Sequence, residues 1–319
     1  MIAITGYTGF VGLHLLELLN TTDCLLLGRN SLTNYPHFND FNLSKPDALD
    51  LASKLNRVEV LIHCAARVHI MNDDSSDPLS EFRAVNTEGT LNLARQAAKT
   101  GVKRFIFLSS IKVNGESTSG RQSFTAFNTR SPEDPYGQSK AEAEEQLLEL
   151  GKQTGMEIVI IRPTLVYGPG VKANFASLMS LVAKGIPLPF GCISNNKRSL
   201  VSVDNLVDLI ITCIDHPKAA NQVFLVSDDH DVSTSEMVRE MAIALGKPTW
   251  QLPVPIWCYK LAGKLFNKSD VVDRLIGSLQ VDISHTKETL DWAPPQTLQE
   301  GFKKTAEAFL SSKKNSGKS

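Results

Sequence analysis

A glycine-punctuated turn near the start of the chain constrains its fold more than any other sequence feature. The apolar run Ile2–Thr5 leads directly into Gly6, Gly9 and Gly12, and an amphipathic segment, Leu13–Asn20, follows at once. In such a strand–turn–helix unit the first glycine takes the tight bend, the second lets the main chain approach a pyrophosphate, and the third allows close helix–strand packing. The helix N-terminus then offers backbone N–H groups to phosphates. The pattern therefore predicts a dinucleotide-binding fold.

Through the first half of the chain, short apolar runs alternate with segments of helical periodicity. Such alternation is typical of a parallel sheet covered on both faces, with ligands at the carboxyl ends of its strands. The predicted strands are Ile2–Thr5, Cys24–Leu27, Val60–His63, Phe105–Ser109 and Ile158–Arg162. The predicted helices are Leu13–Asn20, Asp47–Leu55, Leu79–Thr100 and Tyr136–Gln153. We expect an α/β fold, a Rossmann-type doubly wound parallel sheet.

The alternation breaks after Pro163, where prolines and glycines become frequent. The elements predicted beyond it are the helices Phe175–Ala183 and Val203–Ile214 and the strand Val223–Val226. This last helix and strand indicate that the chain returns to the sheet. We expect a dinucleotide-binding domain over 1–168, with returns near 198–226, and a smaller, interleaved substrate-binding lobe mainly over 169–319.

Composition narrows the class of protein. The 319 residues are 42% hydrophobic and 21% charged, which is ordinary for a globular domain with a proper core. A net charge of −1 without a basic stripe argues against nucleic acid or an anionic membrane as partner. No apolar run approaches the about 20 residues of a bilayer span. The first strand leaves no room for a signal peptide, and the five cysteines form no CxxC pair. We therefore expect a cytoplasmic protein.

Two further features carry chemistry. Tyr136 and Lys140 are spaced to lie one turn apart on one helix face. A free phenol has a pKa of about 10, and a neighbouring ammonium stabilises its phenolate for acid–base work. Upstream, Ser109 and Ser110 end a buried strand, where a hydroxyl faces the ligand crevice. Alone, the first pattern also occurs on solvated helices and the second simply closes a strand. Together with the glycine turn they favour a catalytic site.

These motifs, in this order, resemble the extended short-chain dehydrogenase/reductase superfamily, in particular its NAD-dependent epimerase/dehydratase family, which acts on nucleotide sugars. The matching segments cover most of the chain and are 5–12, 63–66, 86–93, 109–110, 136–140, 162–170 and 198–206. Segment 65–71 is further similar to a bacterial subgroup of polysaccharide (O-antigen) synthesis. That subgroup contains UDP-hexose 4-epimerases and 4-keto-sugar reductases.

The resemblance implies a role for each matching residue. Tyr136 would be the general acid/base, Lys140 its partner on the nicotinamide ribose, and Ser110 the donor to the sugar 4-oxygen. With Tyr136 and Lys140, the implied NAD or NADP contacts are Gly6, Thr8, Gly9, Phe10, Val11, Gly12, Arg29, Asn42, Leu43, Cys64, Ala65, Ala66, Asn86, Ser109 and Pro163. The implied substrate contacts are Arg67, Ser110, Lys112, Asn174, Arg198, Arg274 and Leu279, with Asn174 and Arg198 at positions that hold the sugar diphosphate. No metal is implied, because His63 and His69 lack a third ligand at useful spacing.

Three departures from the family pattern narrow the function. Ile111 and Lys112 stand where dehydratases carry an acidic pair, so dehydration is not expected. Asn114 replaces the tyrosine of the family's V-Y-G motif, which puts that tyrosine's ring contact in doubt. Gly28 and Arg29 replace the aspartate that would repel a 2′-phosphate, which admits NADP beside NAD. An Arg29 that merely stacks on the adenine would leave NAD acceptable.

The resulting hypothesis is NAD(P)-dependent hydride transfer at C4 of a UDP-hexose or UDP-N-acetylhexosamine, with a UDP-glucose-type 4-epimerase in first place. The alternatives are an NADPH-dependent 4-keto-sugar reductase and, more remotely, a non-catalytic dinucleotide-sensing scaffold. Leu279 aligns where a bulky tyrosine would exclude an N-acetyl group, so a leucine there predicts acceptance of N-acetylated sugars. Relatives pair helices equivalent to Leu79–Thr100 and Tyr136–Gln153 between subunits. We therefore expect a homodimer, with apolar residues of both helices at its interface.

Overall fold

A computed structural model describes residues 1–44, 54–68 and 77–316 of the chain. The predicted helix Asp47–Leu55 lies almost wholly outside these residues, and His69 lies outside them as well. Among the described residues, none of the helices combines the length and the apolarity that crossing a bilayer would need.

A seven-stranded sheet forms the centre of the described structure, with all of its paired strands parallel and in the order β3-β2-β1-β4-β5-β6-β9. Its strands are β1 (Ile2–Thr5), β2 (Cys24–Gly28), β3 (His37–Asp40), β4 (Val60–His63), β5 (Arg104–Leu108), β6 (Glu157–Pro163) and β9 (Gln222–Val226). The chain runs outward from β1 in one direction and then resumes at β4 on the other side of β1. This order reversal places a ligand crevice at the carboxyl ends of β1 and β4.

A second, three-stranded sheet has the order β10-β8-β7. It consists of β7 (Leu165–Tyr167), β8 (Arg198–Ser202) and β10 (Asp231–Val232). The α-helices are α1 (Phe10–Leu18), α2 (Pro78–Phe82), α3 (Thr90–Lys99), α4 (Pro135–Thr154), α5 (Ala173–Val182), α6 (Val203–Asp215), α7 (Thr234–Ala244), α8 (Ile256–Leu265), α9 (Ser269–Ile276), α10 (Ser284–Leu290) and α11 (Leu298–Ser316).

The side chains of each central strand pack alternately into two separate hydrophobic cores, because successive side chains of a strand point to opposite faces of the sheet. On one face Ile4, Leu26 and Ile62 pack with Leu15 of α1 and Leu206 of α6. On the other face, neighbouring strand residues pack with α3 and α4; examples are Ala3, Leu25, Leu61, Leu93, Ala97 and Leu147. The sheet is therefore covered on both sides, and the predicted Rossmann-type fold is confirmed. The return of β9 to the sheet beside β6 also agrees with the prediction, whereas the bounds of the two lobes stay a prediction.

The predicted helix Leu79–Thr100 is not one continuous α-helix. Between α2 and α3 the segment Arg83–Gly89 forms wider π-helical turns, a form that is frequent at functional sites. At its end Gly89 packs directly on the main chain that follows β3, since a Cβ there would lie 2.6 Å from the Leu43 carbonyl oxygen. The widened segment thereby lies against the carboxyl edge of the sheet.

The apolar residues of α3 and α4 expected at a dimer interface are already buried within one chain. Leu91, Leu93, Ala94, Ala97, Ala141, Ala143 and Leu147 are all buried, and Leu148 packs partly against the same core. The apolar faces of α3 and α4 therefore pack against the sheet. The groove between the two helices is instead polar and is lined by Arg83, Thr87, Glu88, Leu91, Asn92, Arg95, Glu142 and Gln146.

Candidate active site

The predicted site residues of the first half converge on the carboxyl edge of the seven-stranded sheet. Gly6 follows β1, Arg29 follows β2, Cys64 follows β4 and Ser109 follows β5, while Pro163 ends β6. Since all these strands are parallel, their ends share one edge. Ala65, Ala66, Asn42 and Leu43 extend the same row after β4 and β3.

The glycine turn at this edge is closely packed. Gly6 has a φ of +71°, and a Cβ there would lie 2.4 Å from the Ala65 backbone nitrogen. A Cβ on Gly12 would lie 2.3 Å from the Gly6 carbonyl oxygen. Gly9 is exposed and caps α1, and among the described residues no side chain makes a capping hydrogen bond at this helix N-terminus, where Thr8, Phe10 and Val11 lie. An uncapped helix N-terminus beside the closely packed Gly6 and Gly12 fits the diphosphate of a dinucleotide.

At the next strand, a buried tyrosine explains the glycine that replaces the family's aspartate. A Cβ on Gly28 would lie 2.7 Å from both Cε1 and the hydroxyl oxygen of Tyr7. Tyr7 is 1% exposed, and its hydroxyl donates to the Asn30 carbonyl oxygen. The side chain of Arg29 is exposed beyond this contact. A side chain at position 28 would therefore force the buried Tyr7 ring to move, whatever the charge preference of the cofactor site.

The predicted acid–base pair lies at the first turns of α4. Asp134 caps this helix by accepting a 2.6 Å hydrogen bond from the Gly137 backbone N–H. Burial raises the pKa of Tyr136 to about 12, the Asp134 charge adds to this rise, and a side-chain hydrogen bond with Ser110 opposes it. Ser110 and Tyr136 are thus brought together, as the sequence predicts. In the protein without ligand the phenol is protonated at neutral pH.

Lys140 lies one turn further along α4 and is 1% exposed. Its Nζ donates to the Leu108 carbonyl oxygen at 2.9 Å and lies 4.3 Å from the centre of the Phe107 ring. Burial lowers the pKa of Lys140 to about 8, although the nearby Cys64 and Glu144 favour its charged form. The ammonium is therefore fixed at the end of β5, next to the serine pair.

The buried carboxylate of Glu144, one helical turn after Lys140, was not predicted from the sequence. Glu144 is 0% exposed and accepts from Arg162 through Nε at 2.9 Å and Nη2 at 2.5 Å. It also accepts from Ser109 Oγ at 2.6 Å and from Arg130 Nε at 3.1 Å. Glu144 therefore ties α4 to the ends of β5 and β6 with charge-assisted hydrogen bonds. The signal for it is present in the sequence, since Glu144 is four residues after Lys140 on the same helix face.

Asn114, which replaces the motif tyrosine, belongs to the same network. Its Oδ1 accepts from Arg162 Nη1 at 2.8 Å, and its Nδ2 donates to the Thr125 carbonyl oxygen at 3.0 Å. The side chain is 3% exposed. The amide at this position therefore gives the buried Arg162 guanidinium a further acceptor beside Glu144.

Two polar residues near the glycine turn have structural hydrogen bonds. Asn86 Oδ1 accepts from the Arg67 backbone N–H at 2.8 Å, and Asn86 Nδ2 donates to the Arg67 carbonyl oxygen at 3.0 Å. His63 lies between Thr5 and Thr90, with ring nitrogens 2.7 and 2.9 Å from their hydroxyl oxygens. Burial lowers the pKa of His63 to about 3, so the ring is neutral. Among the described residues no group of three or more potential ligand side chains could hold a metal ion.

On the substrate side, one segment connects Arg198 to the neighbourhood of Ser110. Arg198 Nη1 donates to the Arg274 carbonyl oxygen at 2.5 Å, and burial lowers the pKa of Arg198. Leu279 pairs through its backbone with Ser199, the residue after Arg198, and its side chain packs on a cluster that contains Ile111. Leu279 therefore joins the apolar cluster that contains Ile111, the residue after Ser110, and its backbone forms a bridge with Arg198.

The other predicted substrate contacts fall into two groups. Lys112 and Arg67 form ion pairs within the chain, whereas Asn174 and Arg274 are exposed. The Lys112 ammonium pairs with Glu116 at 2.8 Å and with Asp134 at 2.5 Å. Arg67 pairs with Glu81 at 3.5 Å. Asn174 is exposed at the start of α5, and the side chain of Arg274 is exposed on α9. The structure thus gives Lys112 and Arg67 partners within the chain, and their contact with substrate stays a prediction.

Comparison with known proteins decides the family. Residues 2–227 match the NAD dependent epimerase/dehydratase family. The chain belongs to this family. A protein named UDP-glucose 4-epimerase from Vibrio cholerae is 64% identical over 313 residues, which are 97% of this chain and 95% of the relative. As a member of the epimerase/dehydratase family, the protein is an NAD-dependent enzyme.

Two further relatives of this epimerase/dehydratase chain span nearly its whole length. The N-acetyl-alpha-D-glucosaminyl-diphospho-ditrans,octacis-undecaprenol 4-epimerase of Escherichia coli O157:H7 is 29% identical over 98% of this chain and 97% of its own. The crystal structure of UDP-N-acetylglucosamine 4-epimerase from Bacillus cereus has a TM-score of 0.78 and 21% identity, covering 98% of this chain and 99% of that one. The second likeness is one of fold.

Proposed function

We propose that this protein is a UDP-hexose 4-epimerase, acting on sugars of the UDP-glucose type. The observation that carries the proposal is the close approach of the Ser110 and Tyr136 side chains, with Lys140 one helical turn after Tyr136, at the ligand-binding edge of the sheet. The 64% identical relative of that name supports the substrate class. Purified protein should interconvert UDP-glucose and UDP-galactose without added cofactor.

The chain's own residues account for the proton transfer. Ser110 donates a hydrogen bond to the sugar 4-oxygen, and Tyr136 takes the proton of the 4-hydroxyl and later returns it. The turn at Gly6, Gly9 and Gly12 holds the cofactor diphosphate, and Lys140 holds the nicotinamide ribose. Bound NAD(P) supplies the hydride acceptor and, when oxidised, a positive charge that favours the phenolate. Burial around Lys140 keeps water away and strengthens these electrostatic interactions.

A 4-keto-sugar reductase with exchangeable NADPH is the second candidate. The observation that favours it is the absence of an acidic side chain at position 28, together with the exposed Arg29 beside it. A guanidinium there suits a 2′-phosphate. Consumption of NADPH in proportion to a 4-keto sugar would identify the reductase, whereas epimerisation without added cofactor identifies the epimerase. If Tyr136→Phe left every activity intact, a non-catalytic scaffold would be indicated.

The sugar diphosphate is assigned to Asn174, Arg198 and Arg274, and the space beside the sugar C2 to Leu279. Support comes from Leu279, which packs against the apolar cluster that contains Ile111, the residue after Ser110. A leucine leaves room for an N-acetyl group and offers its methyl an apolar wall. UDP-N-acetylhexosamines should therefore be accepted, and Leu279→Tyr should depress their turnover more than that of plain UDP-hexoses. Burial of one methyl limits this discrimination to about 10–200-fold.

We also propose a homodimer that pairs the outer faces of α3 and α4. The groove between these helices carries Arg83, Arg95, Glu88 and Glu142, and such a mixed-charge face can be self-complementary about a two-fold axis. Light scattering should then give twice the monomer mass of 35.0 kDa. A cytoplasmic role in making precursors of a surface polysaccharide rests on the resemblance of segment 65–71.

A further inference from the structure

Helix α8 presents large apolar side chains to solvent. Trp257 is 66% exposed, Leu261 60% and Leu265 77%. Because these residues recur at every fourth position, they form one stripe along the helix. Exposed apolar residues before and after the helix extend the patch: Trp250, Leu252, Phe266 and Val271. An apolar patch of this extent on a folded protein marks an interaction surface.

The patch lies on a hairpin formed by α8 and α9. Contacts within the hairpin and just before it hold α8 in place, whereas the outer side of α8 is exposed to solvent. In α8 itself Gly263 is the buried residue, and it packs on Val272 of α9, where a Cβ would lie 2.9 Å from a Val272 methyl group. The chain before α8 is held by the Leu252 backbone N–H, which donates to the Leu188 carbonyl oxygen at 2.9 Å. None of the apolar clusters of the described residues includes a residue of α8. The stripe therefore does not serve the core of its own chain.

The charged side chains of α8 and of the residues directly flanking it are all positive. Segment 247–268 contains four lysines and no acidic residue, although the whole chain has a net charge of −1. Lys260 and Lys264 follow Trp257 by three and seven positions, so they adjoin the apolar stripe along its length. Asp270 and Asp273 come next, on α9. Long lysine stems can keep an ammonium in a polar layer while the apolar residues beside it are buried.

We propose that α8 and its flanking residues, the α8 surface, dock this protein on an anionic phospholipid bilayer. A helix with tryptophan, leucine and phenylalanine on its outer face and lysines alongside lies in the interfacial plane of a membrane. Each lysine near an anionic leaflet adds to the attraction. A second copy of the chain fits less well, because a two-fold pairing of α8 with itself would bring the lysines together. The overall charge of −1 does not reveal this local patch, and the proposal departs from the sequence-based expectation that no membrane is a partner.

Docking through the α8 surface would also orient the rest of the lobe. The helix that follows, α9, carries Arg274, whose carbonyl oxygen accepts from Arg198 at 2.5 Å. Arg274, one of the proposed diphosphate-binding residues, is therefore carried by the helix that follows the docked one. The docking proposal itself does not depend on the epimerase assignment, since it rests on exposed side chains outside that site.

Flotation of the full chain with lipid vesicles tests the proposal. The protein should float with vesicles of phosphatidylcholine and phosphatidylglycerol, and remain below vesicles of phosphatidylcholine alone. Binding should weaken as salt is raised, because ions screen the lysine–lipid attraction. The double variant Lys260→Gln/Lys264→Gln should weaken binding roughly thirtyfold, and Trp257→Ser/Leu261→Ser at least tenfold.

Matched control variants separate binding through the α8 surface from nonspecific binding of the protein to vesicles. Leu18→Ser removes a leucine that is 62% exposed on α1, and Lys99→Gln/Lys152→Gln removes two exposed lysines from α3 and α4. Both controls should bind vesicles as the wild type does. All variants should keep the wild-type circular dichroism and turnover of UDP-glucose.

Three results would overturn the proposal. The first is wild-type protein that does not float with anionic vesicles. The second is equal binding by the α8 variants and the controls. The third is a lipid-free dimer by light scattering that Trp257→Ser/Leu261→Ser dissociates, which would assign the surface to a second copy. Because turnover in solution is measured separately, failure of docking leaves the epimerase assignment untouched, and the reverse holds as well.

Discussion

Ser109 Oγ donates to Glu144 Oε1 at 2.6 Å, in the interior of the molecule, whereas the hydroxyl of the next residue, Ser110, meets Tyr136. The side chains of these two neighbouring serines, at the end of β5, therefore point to opposite sides of the strand. Ser109 belongs to the buried network around Glu144. Ser110 remains the hydroxyl that can reach a substrate in the crevice.

Exchange of each serine for alanine should separate these roles. Ser110→Ala should lower kcat about 100-fold or more and leave the free energy of unfolding nearly unchanged, because it removes a donor to the reacting oxygen. Ser109→Ala should cost about 1–3 kcal/mol of stability by leaving a buried carboxylate short of a donor. Steady-state kinetics and urea unfolding measure both effects. Equal losses of activity in the two variants would contradict this division.

Loss of the buried ion pair should destabilise the protein strongly. Arg162 and Glu144 are 2% and 0% exposed, so Glu144→Gln leaves a buried guanidinium without its counter-charge. The expected cost is about 3–5 kcal/mol by urea unfolding. Glu142→Gln is the matched control, since the partly exposed pair of Glu142 with Arg83 contributes about 0–1 kcal/mol. Similar urea midpoints for the two variants would show that the buried Glu144–Arg162 pair does not stabilise the fold more than the partly exposed pair does.

The pH dependence of stability should report the burial of Lys140. Its pKa is about 8 in the folded protein and 10.5 when unperturbed. Between these values the unfolded chain binds the extra proton, so folding becomes more favourable as pH rises through this window. Relative to Lys140→Met, which cannot titrate, wild-type stability should rise by roughly 3 kcal/mol from pH 7 to pH 10.5. A constant difference between the two proteins over this range would contradict the lowered pKa.

Restoring an acidic residue at the end of β2 should fail for steric reasons. Gly28→Asp forces a side chain to within 2.7 Å of the Tyr7 ring and should cost about 1–3 kcal/mol of stability. The double variant Tyr7→Ser/Gly28→Asp removes this overlap, so its loss of stability should be smaller than the sum of the losses of the two single variants. Thermal unfolding of the two single variants and the double variant measures the coupling. Additive losses would show that Tyr7 is not the obstacle.

Much of the fold was predictable because the central strands are continuous apolar runs between turn residues. β1 and β4 have the predicted bounds, and β2 is one residue longer than predicted. The edge strand β3 (His37–Asp40) was missed, since it pairs on one side alone and its polar residues lack an apolar pattern. The π-helical segment Arg83–Gly89 was also missed, because hydrophobic periodicity does not register a widened turn.

The site shows the same limit. The pairing of Tyr136 with Lys140 follows from local spacing and Ser110 from the family resemblance, and the structure places Ser110 close to Tyr136. The contacts of Glu144 with Ser109 and of Lys112 with Asp134 join parts of the chain that are distant in sequence, and local patterns carry no information about them. Lys112, predicted to contact substrate, is thus engaged by Asp134 and Glu116.

The central claim is that Tyr136 and Ser110 catalyse reversible epimerisation at C4, and one measurement tests it most directly. Purified wild-type protein is incubated with UDP-glucose without added cofactor, in parallel with Tyr136→Phe, and the products are followed by NMR. The account predicts formation of UDP-galactose by the wild type and a rate about 100- to 10,000-fold lower for Tyr136→Phe. No epimerisation by correctly folded wild-type protein, or an undiminished rate for Tyr136→Phe, would contradict it.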